Sequence, residues 1–215
     1  MIVISDMMGT LTTGSPVLGM VGWVRENQSK LRANWFMARL MPSYFLAKRG
    51  LIDWQSWGQS LMINSLGLVR DATPETLMQI AEWTVERDLW PSRREDVLSR
   101  LAGHAQSGAR VYIASSVFEP TVAAFAHRIG AQAIGTPLEI AAGRIRLAAD
   151  LVSSQRKIDE VLSRLGVDRV DMAYGDTAQD IPLLEYASHP VAVYPDDALK
   201  AVAMERGWEI LGERA

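Results

Sequence analysis

The chain has 215 residues, 48% apolar and 22% charged, a balance that excludes disorder and low-complexity architecture and fits one domain, or one with a modest insertion. Its net charge of −3 leaves no basic excess to neutralise a phosphate backbone, so no nucleic-acid partner is expected. It has no cysteine, which excludes disulfide scaffolds, thiol catalysis and cysteine zinc sites and fits a cytoplasmic location.

Residues 1–5, Met-Ile-Val-Ile-Ser, form a short run heavy in β-branched side chains and read as a buried strand ending at Asp6. An acid at the sixth position and the lack of a basic opening argue against a signal peptide. The longest uncharged stretch, residues 7–24, contains four glycines, three threonines, a serine and a proline, so no membrane insertion is expected. Residues 7–16 read as a loop, and residues 17–89 as helical throughout. Within that block Thr73 and Pro74 mark a helix start, the first as cap and the second at the opening position.

Beyond Trp90-Pro91 the pattern alternates. Helices are predicted over 92–106, 119–129, 153–165, 180–187 and 196–206. Strands are predicted over 109–114, 131–134, 170–173, 191–193 and 208–211, with a hairpin from 138–140 to 144–147 around Gly143. Strands separated by helices predict a Rossmann-like α/β fold, a mainly parallel sheet with helices on both faces. The 15–89 block, lying between the first strand and the rest, predicts an inserted all-α domain. The core would comprise residues 1–14 and 90–215.

In open parallel sheets ligands bind beyond the carboxyl ends of the strands. Asp6 follows the first predicted strand, Ser115 and Ser116 the second, and Gly175-Asp176 the 170–173 strand, with Asp180 four residues on. Lys157 opens a helix, where the macrodipole disfavours a cation unless an anion is close. Clustered carboxylates repel unless a cation sits among them, and carboxylate oxygens suit Mg²⁺. A lysine and a hydroxyl facing them can hold phosphoryl oxygens, leaving one carboxylate to attack. Each residue also has a plainer reading. Asp6 can shape a turn, the serines can cap the helix near Glu119, and Thr177 to Asp180 fits a capping box. The ordered set favours the site.

The segments Val3-Ile-Ser-Asp6-Met-Met-Gly-Thr10, Val111-Tyr-Ile-Ala-Ser115-Ser, Lys157 and Tyr174-Gly-Asp176-Thr-Ala-Gln-Asp180 together resemble the haloacid dehalogenase-like (HAD) hydrolase superfamily, in its phosphoserine-phosphatase-like branch with a helical cap. The resemblance implies a phosphoric monoester hydrolase acting on a small-molecule phosphoester, monomeric or homodimeric. Asp6 would be the nucleophile, forming an aspartyl-phosphate. Gly9, Thr10, Ser115, Ser116 and Lys157 would bind phosphate. Asp6, Asp176, Asp180 and the backbone carbonyl of Met8 would hold Mg²⁺.

One position departs from the pattern. Where the family's phosphatases carry a second Asp as general acid and base, this chain has Met8. Losing such a group costs about 10²–10⁴-fold, most for alcohols that leave poorly. Reduced or altered phosphatase activity is therefore expected. The alternatives are dehalogenase or phosphonatase chemistry, the latter needing a cap lysine such as Lys30 or Lys48, or a silent phosphate-binding protein. The cap segment 35–49, rich in aromatics and methionine, reads as packing or as an apolar lid. Arg25, Arg32, Arg39 and Arg49 are its candidate anion contacts, and His104, His127 and His189 are expected to lie away from the site.

Overall fold

The computed structural model describes residues 1–214. Six strands form one parallel sheet in the order β3-β2-β1-β6-β7-β8: β1 (Ile2–Ser5), β2 (Arg110–Phe118), β3 (Gln132–Thr136), β6 (Val170–Gly175), β7 (Ala187–Val193) and β8 (Glu209–Leu211). A separate antiparallel hairpin pairs β4 (Leu138–Ala141) with β5 (Arg144–Leu147).

The strands are apolar on both faces because each face is covered. Along β1, Val3 joins one hydrophobic cluster and Ile2 and Ile4 the other. Along β7, Val191 and Val193 face the first cluster and Ala192 the second. The second cluster includes residues of α7 (Ser154–Leu165), α8 (Ile181–Glu185) and α9 (Asp197–Arg206). The first holds residues of α5 (Glu95–Gln106) and α6 (Glu119–Arg128) and runs on into the inserted helices.

Those helices are α1 (Pro16–Asn27), α2 (Lys30–Lys48), α3 (Trp54–Val69) and α4 (Pro74–Thr84), followed by a π-helical turn (Val85–Leu89). The unbroken helical stretch expected over 17–89 is thus divided, and side chains cap each new start. Ser15, Ser29, Asp53 and Thr73 accept from the N–H groups of Leu18, Arg32, Ser56 and Thr76. The insertion does not keep a core of its own. Val17, Met20 and Ile80 share one apolar cluster with Val117 and Phe118 of β2 and Phe125 of α6.

Several strand ends differ from expectation, among them β3, which ends at Thr136, and β6, which ends at Gly175; two others bear on the site and the sheet. The second strand, expected to stop at 114, continues through Ser115 and Ser116 to Phe118, with a register shift against β3 between Ala114 and Phe118. The two serines therefore lie within the strand, and neither caps α6. The strand expected to start at 191 starts at Ala187 and takes in Pro190. A proline is tolerated there because β8 joins only from Val191 onward, so at Pro190 the strand has one neighbour and needs no second ladder bond.

Candidate active site

Asp6, Lys157, Asp176 and Asp180 converge beyond the carboxyl ends of β1 and β6, at the edge the sequence indicated. Asp6 leaves β1 with its N–H still bonded to the Tyr174 carbonyl (2.9 Å). The chain then turns tightly, the N–H groups of Leu11 and Thr12 closing on the Met7 carbonyl (2.9 and 3.2 Å). Gly9 holds a φ of +87°, and a Cβ there would lie 2.0 Å from Asp176 Oδ2. The turn needs glycine both for its backbone angle and for its closeness to the carboxylate.

Lys157 sits in the first turns of α7 and is almost fully buried. Its Nζ donates to Asp6 Oδ1 and to Asp180 Oδ1, each at 2.6 Å. Asp180 is fixed on its other side: Oδ2 accepts from the backbone N–H groups of Asp176 (3.2 Å) and Thr177 (3.3 Å). Asp176 accepts from Thr10 Oγ1 (3.3 Å) and from Arg214 (2.9 Å). Among the described residues Asp6 Oδ2 is buried with no hydrogen-bond partner.

Three carboxylates face one lysine and one arginine, so the cluster is short of positive charge. Burial, set against the pull of Lys157 and reinforced by Asp180, lifts the Asp6 carboxyl to about 6. Burial and then repulsion from Asp6 and Asp180 lift Asp176 to about 8. Burial alone would lower Lys157. The attraction of Asp180 and Asp6 outweighs it and holds the ammonium charged well above its ordinary value. Carboxylate oxygens of Asp6, Asp176 and Asp180 lie within 4.8 Å of one another. An all-oxygen set of that span with a charge deficit fits a hard divalent cation.

The cluster opens into a hollow of about 260 Å³. Met8, Ser116 and Val117 line it from the core side, and Gln55, Gly58 and Gln59 of α3 line it from above. Gln59 reaches across to Ser153 Oγ (3.3 Å), tying the inserted helices to the start of α7. Of the sequence candidates, Asp6, Met8, Ser116, Lys157, Asp176 and Asp180 line the hollow. Ser115 is buried with its Oγ accepting from the Val117 N–H (3.4 Å), and Thr10 supports Asp176 from behind. Lys30, Lys48, Arg25, Arg32, Arg39, Arg49 and the three histidines are not among the lining residues. Arg32 instead donates to the carbonyls of Gly67 and Leu68, and His104 pairs with the Tyr174 hydroxyl (2.8 Å).

Two contacts were not expected from the sequence. Arg94 Nε donates to the Gly9 carbonyl (2.8 Å), bracing the turn after Asp6, and Arg214 reaches Asp176. Both join residues far apart in the chain, and no local pattern announces them. A wider depression of about 600 Å³, lined by Arg169, His189, Arg206 and Trp208, lies at the opposite ends of β7 and β8 and contains no carboxylate cluster. Among the described residues no helix is long and apolar enough to cross a membrane.

Residues 3–185 match the haloacid dehalogenase-like hydrolase family. A phosphoserine phosphatase of Mycobacterium tuberculosis is 29% identical over 139 residues, covering 61% of this chain and 44% of the relative. The inhibition of morphological differentiation protein of Streptomyces azureus is 28% identical over 151 residues, covering 67% and 54%. The chain thus spans about half the length of the curated relatives it matches. A solved structure from Bordetella pertussis, described as a protein with unknown function, superposes with a TM-score of 0.75 at 21% identity, covering 98% of this chain and 97% of the other. A probable phosphoserine phosphatase from Vibrio cholerae superposes at 0.60 with 20% identity, covering 93% and 58%. At these identities the structural likenesses establish the fold.

Proposed function

The chain belongs to the haloacid dehalogenase-like hydrolases, and on that footing we propose that it is a Mg²⁺-dependent phosphomonoester phosphatase working through an aspartyl-phosphate on Asp6, with turnover reduced because Met8 stands where a general acid and base would act. The observation that carries this reading is the pair of Asp6 oxygens: Oδ1 is held by Lys157 at 2.6 Å, and Oδ2 is buried without a partner. The anchored oxygen fixes the carboxylate, and the unengaged one is the nucleophile.

Asp6, Asp176, Asp180 and the Met8 carbonyl would hold the ion. When bound, Mg²⁺ neutralises charge on the phosphoryl group. In the first step Asp6 Oδ2 forms a bond to phosphorus as the ester oxygen departs with the bonding electrons. Lys157, clamped by Asp180, lends its positive charge to the phosphoryl oxygens and keeps Asp6 in line. The departing oxygen needs a proton, and the Met8 thioether has none to give. Aryl alcohols leave without one, and alkyl alcohols do not. In the second step water attacks phosphorus as the Asp6 Oδ2–phosphorus bond breaks, its proton leaving with the phosphate; no base at position 8 assists, so the phosphorylated Asp6 accumulates. We place the catalytic core at residues 1–14 and 90–215 and the specificity-setting cap at 15–89, with Gln55 and Gln59 among its polar groups that line the hollow.

Phosphonatase chemistry through a cap lysine is disfavoured, since Lys30 and Lys48 are exposed and do not line the hollow. Phosphate release from an aryl phosphate, with and without Mg²⁺, tests the reading. Metal-dependent release abolished by Asp6→Asn is expected. Metal-independent release, or chloride release from a 2-haloacid, contradicts it.

A further inference from the structure

Beside the catalytic hollow lies a second cavity, of about 320 Å³, between α1, α2 and α3. Met37, Leu40, Met41, Tyr44 and Trp57 line it, with no charged side chain among its walls. Ser15, Val17, Trp54 and Leu61 line both spaces, so the cavity adjoins the reacting centre. Two of its few polar groups are engaged. Ser15 Oγ accepts from the Leu18 N–H, and Trp57 Nε1 donates to Ser43 Oγ (3.2 Å). Trp54 stacks on Trp57 with ring centroids 5.0 Å apart, and Tyr44 meets both rings edge-on or tilted. The aromatic segment of the cap therefore does not close into solid core; it walls an apolar chamber whose mouth is open to solvent at the exposed side chains of Leu18, Met41 and Trp54.

Resting on the phosphatase reading above, we infer that this chamber holds the alcohol portion of the substrate, and that the substrate is a phosphomonoester of an apolar alcohol. An apolar cavity of roughly 150 Å³ stays dry and takes up benzene. Twice that volume suits a single alkyl chain of about eight to ten carbons or a two-ring aryl group, and is too small for two long acyl chains. The cap's cations argue the same way. Arg25, Arg32, Arg39 and Arg49 line neither the hollow nor the chamber. An alcohol bearing its own ammonium and carboxylate would leave both charges facing methionine, leucine and tryptophan, a costly arrangement.

The test is binding, which Met8 does not limit. Inorganic phosphate, methylphosphonate and n-octylphosphonate are titrated calorimetrically into the full chain with Mg²⁺. Each buried methylene strengthens binding by up to about fourfold, so octylphosphonate is expected to bind at least about 100-fold tighter than methylphosphonate. Met41 is 39% exposed, so Met41→Glu tolerates a charge on the outside of the fold while adding one to the chamber wall. It should cut the octyl-to-methyl ratio at least about tenfold, and so should the cavity-filling Met37→Trp. Equal affinity for the two phosphonates, with phosphate still bound, overturns the inference and leaves the phosphatase reading standing. Failure of all three ligands to bind overturns both. Binding of n-octanol that does not compete with octylphosphonate also overturns the inference.

Discussion

Met8→Asp restores the one group that the proposed reaction lacks. Met8 is half-buried and lines the hollow that contains Asp6. A carboxyl two residues from Asp6 lies roughly 6 Å from it along the chain. At an effective dielectric near 20, two ionised carboxylates at that separation repel by about 3 kcal/mol. The introduced carboxyl is thereby held well above the usual carboxylate range, so that a fraction of it is protonated near neutral pH and can act as a general acid. The expected gain in kcat/KM for an alkyl phosphate is about 10²–10⁴-fold, equal to about 3–5 kcal/mol off the barrier. For an aryl phosphate kcat/KM should change far less, because this ratio reads the phosphoryl-transfer step and a phenol leaves unaided. Metal-free stability should fall by up to about 3 kcal/mol and recover with Mg²⁺. Steady-state phosphate release from the two ester types, parent against variant, is the assay. No gain for the alkyl ester, or an equal gain for both, refutes the missing-acid argument.

Further outcomes follow from the same geometry. Lys157→Met leaves Asp6 and Asp180 buried without their shared cation and should destabilise the fold by about 3–5 kcal/mol; scanning calorimetry should show Tm falling by about 10 °C, and a fall within 2 °C would contradict the pairing. The raised carboxyls at Asp6 (about 6) and Asp176 (about 8) bind protons more tightly folded than unfolded. Metal-free stability is therefore expected to drop as pH rises from about 4 to about 8, and stabilisation by Mg²⁺ to grow over the same window. Thermal shifts at pH 5.5 and 8 check both slopes, and a metal effect larger at the lower pH would contradict the cluster's charge balance. Arg214 is half-exposed and occupies one Asp176 oxygen, so Arg214→Ala should tighten Mg²⁺ binding a few-fold by calorimetry; weaker binding would mean that the arginine supports the site.

The sheet and its acidic edge are readable in the sequence because each residue of the buried cluster obeys a local rule. Asp6 ends an apolar strand, Asp176 follows another after a glycine, and Lys157 sits in the opening turns of a helix where only an anion justifies a cation. The strand extents are less readable. Ser115 and Ser116 look like the end of β2, yet the chain stays extended through a register shift to Phe118, and Ser116 and Val117 line the hollow. Pro190 hides the start of β7, because tolerance of a proline depends on where β8 begins, a fact of the whole sheet. Arg94 and Arg214 act over long sequence separations, where composition and periodicity carry no signal. The aromatic segment of the inserted helices reads more readily as core than as lid until the helices are placed; only then does the chamber between them appear.

Covalent capture of the intermediate bears most directly on the chemistry assigned to Asp6. The chain is mixed with an aryl phosphate and Mg²⁺, quenched in acid, digested and weighed by mass spectrometry. One phosphoryl group should appear on the peptide holding Asp6, accumulate to a large fraction of the chain, and vanish in Asp6→Asn. Turnover with no such adduct, or with the phosphoryl group on another residue, would contradict the account.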